Sequence, residues 1–172
     1  MDTFVEQIVV KKKDNKQLAI IVSVLLADLL LGGLVIIFSG LLYILAPLLL
    51  IGMGYGSWWL ISAQNIEYEY SVTNGDIDID EIVARRKRKR IVSVGGHKLE
   101  SAGKYNPAQW ANRKIDRLVV AAPSLNEEGL YYFTYHSKKR GHTLVVFQPD
   151  ERVKSAFYQM LPRLLQLDWD RA

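Results

Sequence analysis

Cysteine is absent from the chain, and histidine occurs only three times. The lack of cysteine excludes disulfides, thiolate nucleophiles and cysteine-ligated zinc, and it suits a reducing compartment. The histidines, His97, His136 and His142, lack the spacing of metal ligands, although His136 and His142 are placed to face each other across a hairpin. We therefore predict neither a metal site nor a cofactor.

Charge is nearly absent from residues 18–63, where Asp28 is the single formally charged side chain. An α-helix of roughly 20 apolar residues spans a bilayer core of about 30 Å. The stretch predicts two transmembrane helices, at 18–38 and 41–62, folded back as a hairpin. A cleaved signal peptide is the competing interpretation of the first run, but that run exceeds the usual h-region of about 7–15 residues and a second run follows directly.

The hairpin divides the chain into a head, residues 1–17, and a polar domain, residues 64–172. Four lysines of the head precede the first span, the turn at 39–47 is uncharged, and a basic cluster follows the second span. Because Lys and Arg stay on the cytoplasmic side, we expect a multi-pass protein of the cell membrane with both termini in the cytoplasm. For residues 2–16 two alternatives stay open, a short interfacial helix and a frayed terminus.

Asp28 lies near the middle of the first predicted span, where an acid costs about 2.5–3.5 kcal/mol on insertion scales. We expect a protonated side chain hydrogen-bonded to the second helix, with Tyr55 or Ser57 as its partner. A role in an ion path is the functional alternative. Gly52 and Gly56 have the small-xxx-small spacing that lets helix backbones approach closely.

The polar domain begins with β patterns. Residues 66–73 alternate apolar and polar side chains, Asn74-Gly75 is a strong hairpin signal, and the phase slips at Asp80-Glu81, which suggests a β-bulge. Further strands are predicted at 88–94, 97–101, 118–121, 130–136 and 143–147. The pattern predicts antiparallel sheets in a barrel or sandwich, covered by an amphipathic helix that Asp150 caps and Pro162 kinks or shortens.

The run 67–82, followed by basic residues through Arg90, resembles the opening hairpin of bacterial pleckstrin-homology-like (PH-like) domains. The whole chain resembles an uncharacterised family of small bacterial membrane proteins that place such a domain after two transmembrane helices. The resemblance implies an α-helical transmembrane hairpin plus a mainly-β PH-like barrel with a C-terminal helix, and a binding or scaffolding role. It transfers no activity, because a fold does not fix a function.

One basic cluster is a candidate contact for anionic lipid head groups, at roughly 1 kcal/mol per charge near the membrane. It consists of Arg85, Arg86, Lys87, Arg88, Lys89 and Arg90. The alternative is cross-strand pairing with the acids of the preceding strand, which are Asp76, Asp78, Asp80 and Glu81. Four acids do not neutralise six bases, so some positive surface is expected to remain.

No catalytic residue is predicted. Ser101 and Lys104 have a Ser-x-x-Lys spacing without the companion motifs of acyl-transfer enzymes, and the aspartates that begin at Asp76 lack the glycine and glutamate of a calcium loop. We expect a membrane-anchored, non-enzymatic binding or scaffolding protein. Its expected partners are the bilayer, anionic head groups and a membrane protein or a second copy, without nucleic acid. An accessory subunit of a membrane transport or cell-envelope complex is the alternative.

Overall fold

The computed structural model describes residues 4–170, apart from the side chains of Asp168 and Asp170. The chain divides into two compact units. Residues 13–66 form a helical unit, and the remaining described residues form a β-rich unit in which segments from both sides of the helical unit come together.

The helical unit contains α1, Asn15–Ile37, and α2, Leu45–Ser62. Asp14 caps α1 because its carboxylate accepts a hydrogen bond from the Gln17 backbone at 2.8 Å, and the Gln17 side chain accepts one from the Asp14 backbone at 3.2 Å. Both helices are long and apolar enough to cross a membrane, by length and composition. The two predicted helices are confirmed, with α1 beginning three residues earlier and α2 four residues later than expected.

The environment of Asp28 differs from the expectation. Its side chain is half-buried, and among the described residues neither Tyr55 nor Ser57 donates a hydrogen bond to it. Tyr55 instead packs against Trp58, with 5.8 Å between ring centroids, and is 66% exposed. Tyr55 therefore lies on an outer face of α2, and the predicted partner for Asp28 was wrong.

Residues 1–3 of the head lie outside the described residues, and the next part of the head is neither an interfacial helix nor frayed, because it forms a strand, β1, Phe4–Val10. β1 pairs antiparallel with β2, Ile66–Thr73, and Val9 packs inside at 8% exposure. The apolar positions of this segment fit both a helical and a period-two pattern. A partner strand about 60 residues away in sequence decides between them, together with the β-branched side chains that favour strands.

The first sheet has the strand order β1-β2-β3-β4, where β3 is Asp76–Val83 and β4 is Lys87–Gly95. Asn74 and Gly75 connect β2 to β3 with φ angles of 49° and 89°, as the predicted hairpin turn requires. The β3–β4 register shifts between Ile79 and Asp80, which confirms a bulge in this strand pair but not on β3, where it was predicted. The extra residue is Ile91 of β4, since Val92 opposes Ile79 while Arg90 opposes Asp80.

The second sheet has the order β5-β7-β8-β6, and its β6 pairs parallel with β8, which corrects the expected all-antiparallel arrangement. Its strands are β5, Leu99–Lys104; β6, Arg117–Ala121; β7, Tyr131–Ser137; and β8, Gly141–Phe147. The predicted barrel is not found either, because the described strands form two separate four-stranded sheets. Turn motifs in the sequence identify strands that follow each other directly in the chain. They therefore did not predict the pair of β6 and β8, which β7 separates in sequence.

Aromatic side chains from both sheets and the C-terminal helix form the main core. Phe133, Phe147 and Phe157 lie 5.3–5.5 Å apart between ring centroids, and Tyr70 of the first sheet packs edge-on against Phe147 at 5.7 Å. Phe157 comes from α4, Glu151–Met160, which begins at the predicted cap Asp150. The predicted helix is thus confirmed as the element that covers the sheets.

Pro162 ends the helical pattern as predicted, and a second helix, α5, Arg163–Asp170, follows. Because the helix is interrupted at Pro162, the core-facing side of α5 does not continue the apolar stripe of α4. Leu164 is consequently 77% exposed, whereas Trp169 is buried and stacks on Tyr131 at 4.6 Å.

A smaller core lies on the other face of the second sheet. Trp110, from the short helix α3, Pro107–Trp110, anchors it at 7% exposure. Trp110 thereby packs this loop against that face of the sheet.

Candidate functional site

The basic cluster predicted from the sequence lies at the tip of the β3–β4 hairpin and along β4. Arg85 and Arg86 belong to the turn, where the Arg86 backbone donates to the Val83 carbonyl at 3.0 Å. The remaining four residues open β4, and all six side chains are exposed. The cluster therefore occupies one hairpin, as the sequence indicated.

Three arginines of the cluster pair with acids on the outer face of the first sheet. The Arg88 Nε atom lies 2.6 Å from an Asp80 carboxylate oxygen, and its Nη2 atom donates to Glu69. Arg90 contacts Asp80 at 3.0 Å and Asp78 at 2.9 Å. A further pair joins Arg85 to Glu67 at 3.0 Å. The predicted pairing with acids of the preceding strand is therefore confirmed for Arg88 and Arg90, whereas Arg85 pairs with an acid of β2.

Two of the acidic partners, Glu67 and Glu69, come from β2 and were missed in the sequence. Both residues alternate with buried Tyr68 and Tyr70, so they share the outer face with the aspartates of β3. This alternation in the sequence could have indicated that Glu67 and Glu69 lie on the outer face. What it did not reveal is that a side chain of β4 reaches across β3 to β2.

Asp80 is 5% exposed and sits between two guanidinium groups. Burial alone would raise the pKa of Asp80, but the hydrogen bonds and charges of Arg90 and Arg88 outweigh burial and hold that pKa below its ordinary value. The same hydrogen bonds raise the pKa of both arginines. This part of the cluster is thus a structural ion-pair network.

Lys87 and Lys89 point away from the network, because they alternate with Arg88 and Arg90 along β4. Both lysines are exposed, and within residues 4–170 neither has an ion pair. The positive surface that was expected to remain is thus carried in part by these two lysines. Contact with anionic lipid stays a prediction.

The other sequence signals fall on the second sheet. His136 and His142 are cross-strand partners, as predicted, and the His142 Nε2 atom lies 3.1 Å from a Glu100 carboxylate oxygen. Across the described part of the chain, no three His, Asp or Glu side chains are placed to hold a metal ion. Ser101 and Lys104 lie on one strand, β5, and Ser101 Oγ is 2.7 Å from Thr134 Oγ1.

Burial also affects the tyrosines beneath the network. It raises the pKa of Tyr68 to about 12, with a smaller contribution from the charge of Glu81. Tyr70 donates its hydroxyl to the Ala121 carbonyl and accepts from the Gln148 backbone at 3.3 Å. These bonds join the first sheet to the ends of β6 and β8, so the face opposite the network is structural.

Comparison with known proteins gives one match. A family model described as "Bacterial PH-like domain (DUF6106)" matches residues 1–166. No curated protein and no solved structure matches the chain.

Proposed function

We propose, since the chain belongs to the family of bacterial PH-like domains, that it is a membrane-anchored, non-enzymatic binding or scaffolding protein. The observation that carries this proposal is the exposure of both apolar helices. Leu29, Leu30 and Ile51 are 73%, 69% and 70% exposed. Soluble monomers rarely expose contiguous apolar patches larger than a few hundred Å². A bilayer provides the missing apolar surroundings.

Charge supports an orientation with the β-rich unit in the cytoplasm. Lysines precede α1 and the basic hairpin follows α2, whereas residues 38–44 between the helices carry no charge. Only residues 11–14 and 63–65 connect the helices to the strands. These connections are short, because an extended residue covers at most about 3.6 Å. In this arrangement the β-rich unit stays near the anionic leaflet, where Lys87 and Lys89 are available to lipid head groups.

Membrane extraction tests the anchor. We expect the full chain to stay in the membrane pellet through washes with alkaline carbonate and high salt, and to be released only by detergent. The variant Leu29→Glu/Leu30→Glu places two acids at the centre of α1, each costing roughly 2.5–3.5 kcal/mol. It should appear in the alkaline-soluble fraction or fail to accumulate.

The matched control carries the same two substitutions outside the helical unit. Leu164 and Leu167 of α5 are 77% and 57% exposed, so Leu164→Glu/Leu167→Glu should remain in the pellet. Release of the unmodified chain by carbonate would contradict the anchor.

An accessory subunit of a membrane transport or cell-envelope complex is the second candidate. It is supported by the glycines of α2, since a Cβ atom added at Gly52 or Gly56 would meet nothing within 4 Å. That face is not covered by α1, and Asp28 has no bond to Tyr55 or Ser57. Purification in mild detergent distinguishes the candidates, because a stoichiometric partner with several spans favours the subunit and its absence favours the independent anchor.

A further inference from the structure

A cavity of about 710 Å³ lies beside β5, on the face of the second sheet that carries the smaller core. Gly103 opposes Tyr132 in the sheet, and both residues line the cavity. The loop after β5 and helix α3 form the walls. The residues with polar side chains that line the cavity are Ser101, Lys104, Tyr105, Asn106, Gln109, Arg113 and Tyr132.

The lining contains two cations and no acid. In the part of the chain that the structure describes, neither Lys104 nor Arg113 is paired with a carboxylate. This contrasts with the basic hairpin, where Arg88 and Arg90 are held by acids on neighbouring strands. Lys104 also lines a neighbouring cavity that contains Glu127 and Glu128, so the guanidinium of Arg113 is the more available of the two cations.

The position of Arg113 is set by the smaller core. Its guanidinium carbon lies 4.8 Å from the centroid of the Trp110 ring, and that ring packs edge-on against Tyr132 at 4.8 Å. Trp110 is only 7% exposed. A guanidinium stacked on a buried indole loses less freedom on binding an anion than one on a free side chain.

Neutral donors accompany the two cations. The Asn106 Oδ1 atom accepts from the Ala108 backbone at 3.0 Å, which leaves the NH₂ group of Asn106 for a ligand. Gln109 supplies a second amide one helical position beyond Ala108. Two cations with amide donors suit an anion that has several acceptor oxygens, such as a phosphate group.

We propose that this cavity binds an organic phosphate, with Lys104 and Arg113 in contact with the phosphate group. The volume lies within the range of roughly 300–1,000 Å³ for small-molecule sites and exceeds what inorganic phosphate needs. A soluble phosphate ester and a phospholipid head group share this chemistry. The site is independent of the membrane anchor and of the basic hairpin.

Calorimetric titration of the full chain in detergent tests the site, with glycerol 3-phosphate and inorganic pyrophosphate as probes. We expect saturable binding of at least one probe and at least a tenfold loss of affinity in Lys104→Gln/Arg113→Gln. The control Lys98→Gln/Lys114→Gln removes the same charge from exposed positions outside the cavity and should change affinity less than twofold.

Thermal unfolding establishes whether each variant is folded. If the double variant is unfolded, Lys104→Gln alone, at an exposed position, replaces it.

Nanodiscs distinguish the two sources of the ligand. Phosphatidylglycerol discs should weaken glycerol 3-phosphate binding, relative to phosphatidylcholine discs, if a head group occupies the cavity, whereas equal binding indicates a soluble ester. Absence of saturable binding by the unmodified chain, or equal losses in the cavity and control variants, would overturn the proposal.

Discussion

At the scale of single residues, Asp80 joins charges from three strands. It lies on β3, receives hydrogen bonds from Arg88 and Arg90 of β4, and through Arg88 is connected to Glu69 of β2. A buried carboxylate is costly unless it is paired and hydrogen-bonded, and here two charged donors meet that requirement. The arginines are about half exposed, which limits what each pair contributes to stability.

The lowered pKa of Asp80 makes its contribution to stability pH-dependent. A carboxyl whose pKa is lower in the folded than in the unfolded chain stabilises the fold above the unfolded value of about 3.9, and this is lost as pH falls through the folded value. We expect Asp80→Asn to lower the free energy of unfolding by about 1–2 kcal/mol at pH 7. The difference from the unmodified chain should shrink below about pH 4.

Denaturant unfolding of the detergent-solubilised chain between pH 3 and pH 7 measures this difference. Asp76→Asn is the control, because Asp76 is exposed and, among residues 4–170, has no ion pair, so its effect should stay within about 0.5 kcal/mol. An Asp80→Asn penalty that is constant across the pH range would contradict the assignment.

At the scale of elements, β1 connects the segment before the helices to the C-terminal part of the β-rich unit. The Gln7 side chain donates to the Gln148 carbonyl at 3.1 Å and accepts from the Asp150 backbone at 2.7 Å. Asp150 is the cap of α4, so one glutamine links β1 to the start of the covering helix. The strand thereby helps to position the helix over the core.

We expect Gln7→Ala to destabilise the β-rich unit by about 1–2 kcal/mol, because it leaves two partly buried backbone groups without their partner. Glu6→Ala is the matched control, since Glu6 is exposed on the outer face of the same strand. Denaturant unfolding followed by tryptophan fluorescence measures both variants. Equal, small effects would mean that β1 is not docked as described.

At the scale of the whole molecule, the charge distribution predicts that both flanks of the helical hairpin lie in the cytoplasm. Lysines before α1 and arginines after α2 resist translocation, whereas the uncharged segment 38–44 crosses readily. This orientation also places the basic hairpin and the phosphate cavity in the cytoplasmic compartment.

Reporter fusions check the orientation. A fluorescent protein fused after residue 172 should fluoresce, and alkaline phosphatase at the same place should be inactive. Phosphatase inserted between residues 40 and 41 should be active, which provides the control for translocation. Active phosphatase at the C-terminal fusion would exclude a cytoplasmic β-rich unit.

By itself, the sequence determined the features that depend on near neighbours. The apolar runs of α1 and α2, the Asn74-Gly75 turn, the Asp150 cap and the break at Pro162 each follow from side chains within a few positions, since turn geometry, capping and helical periodicity are local.

Only the tertiary structure decided what depends on residues far apart in the chain. The sequence of β1 is compatible with a helix or a strand, and its pairing with β2 selects the strand. β6 pairs in parallel with β8, although β7 lies between them in the chain. Glu69 of β2 reaches Arg88 of β4 because the sheet order brings these remote positions together. The physical reason is that such contacts leave no periodicity or turn signal in the sequence between them.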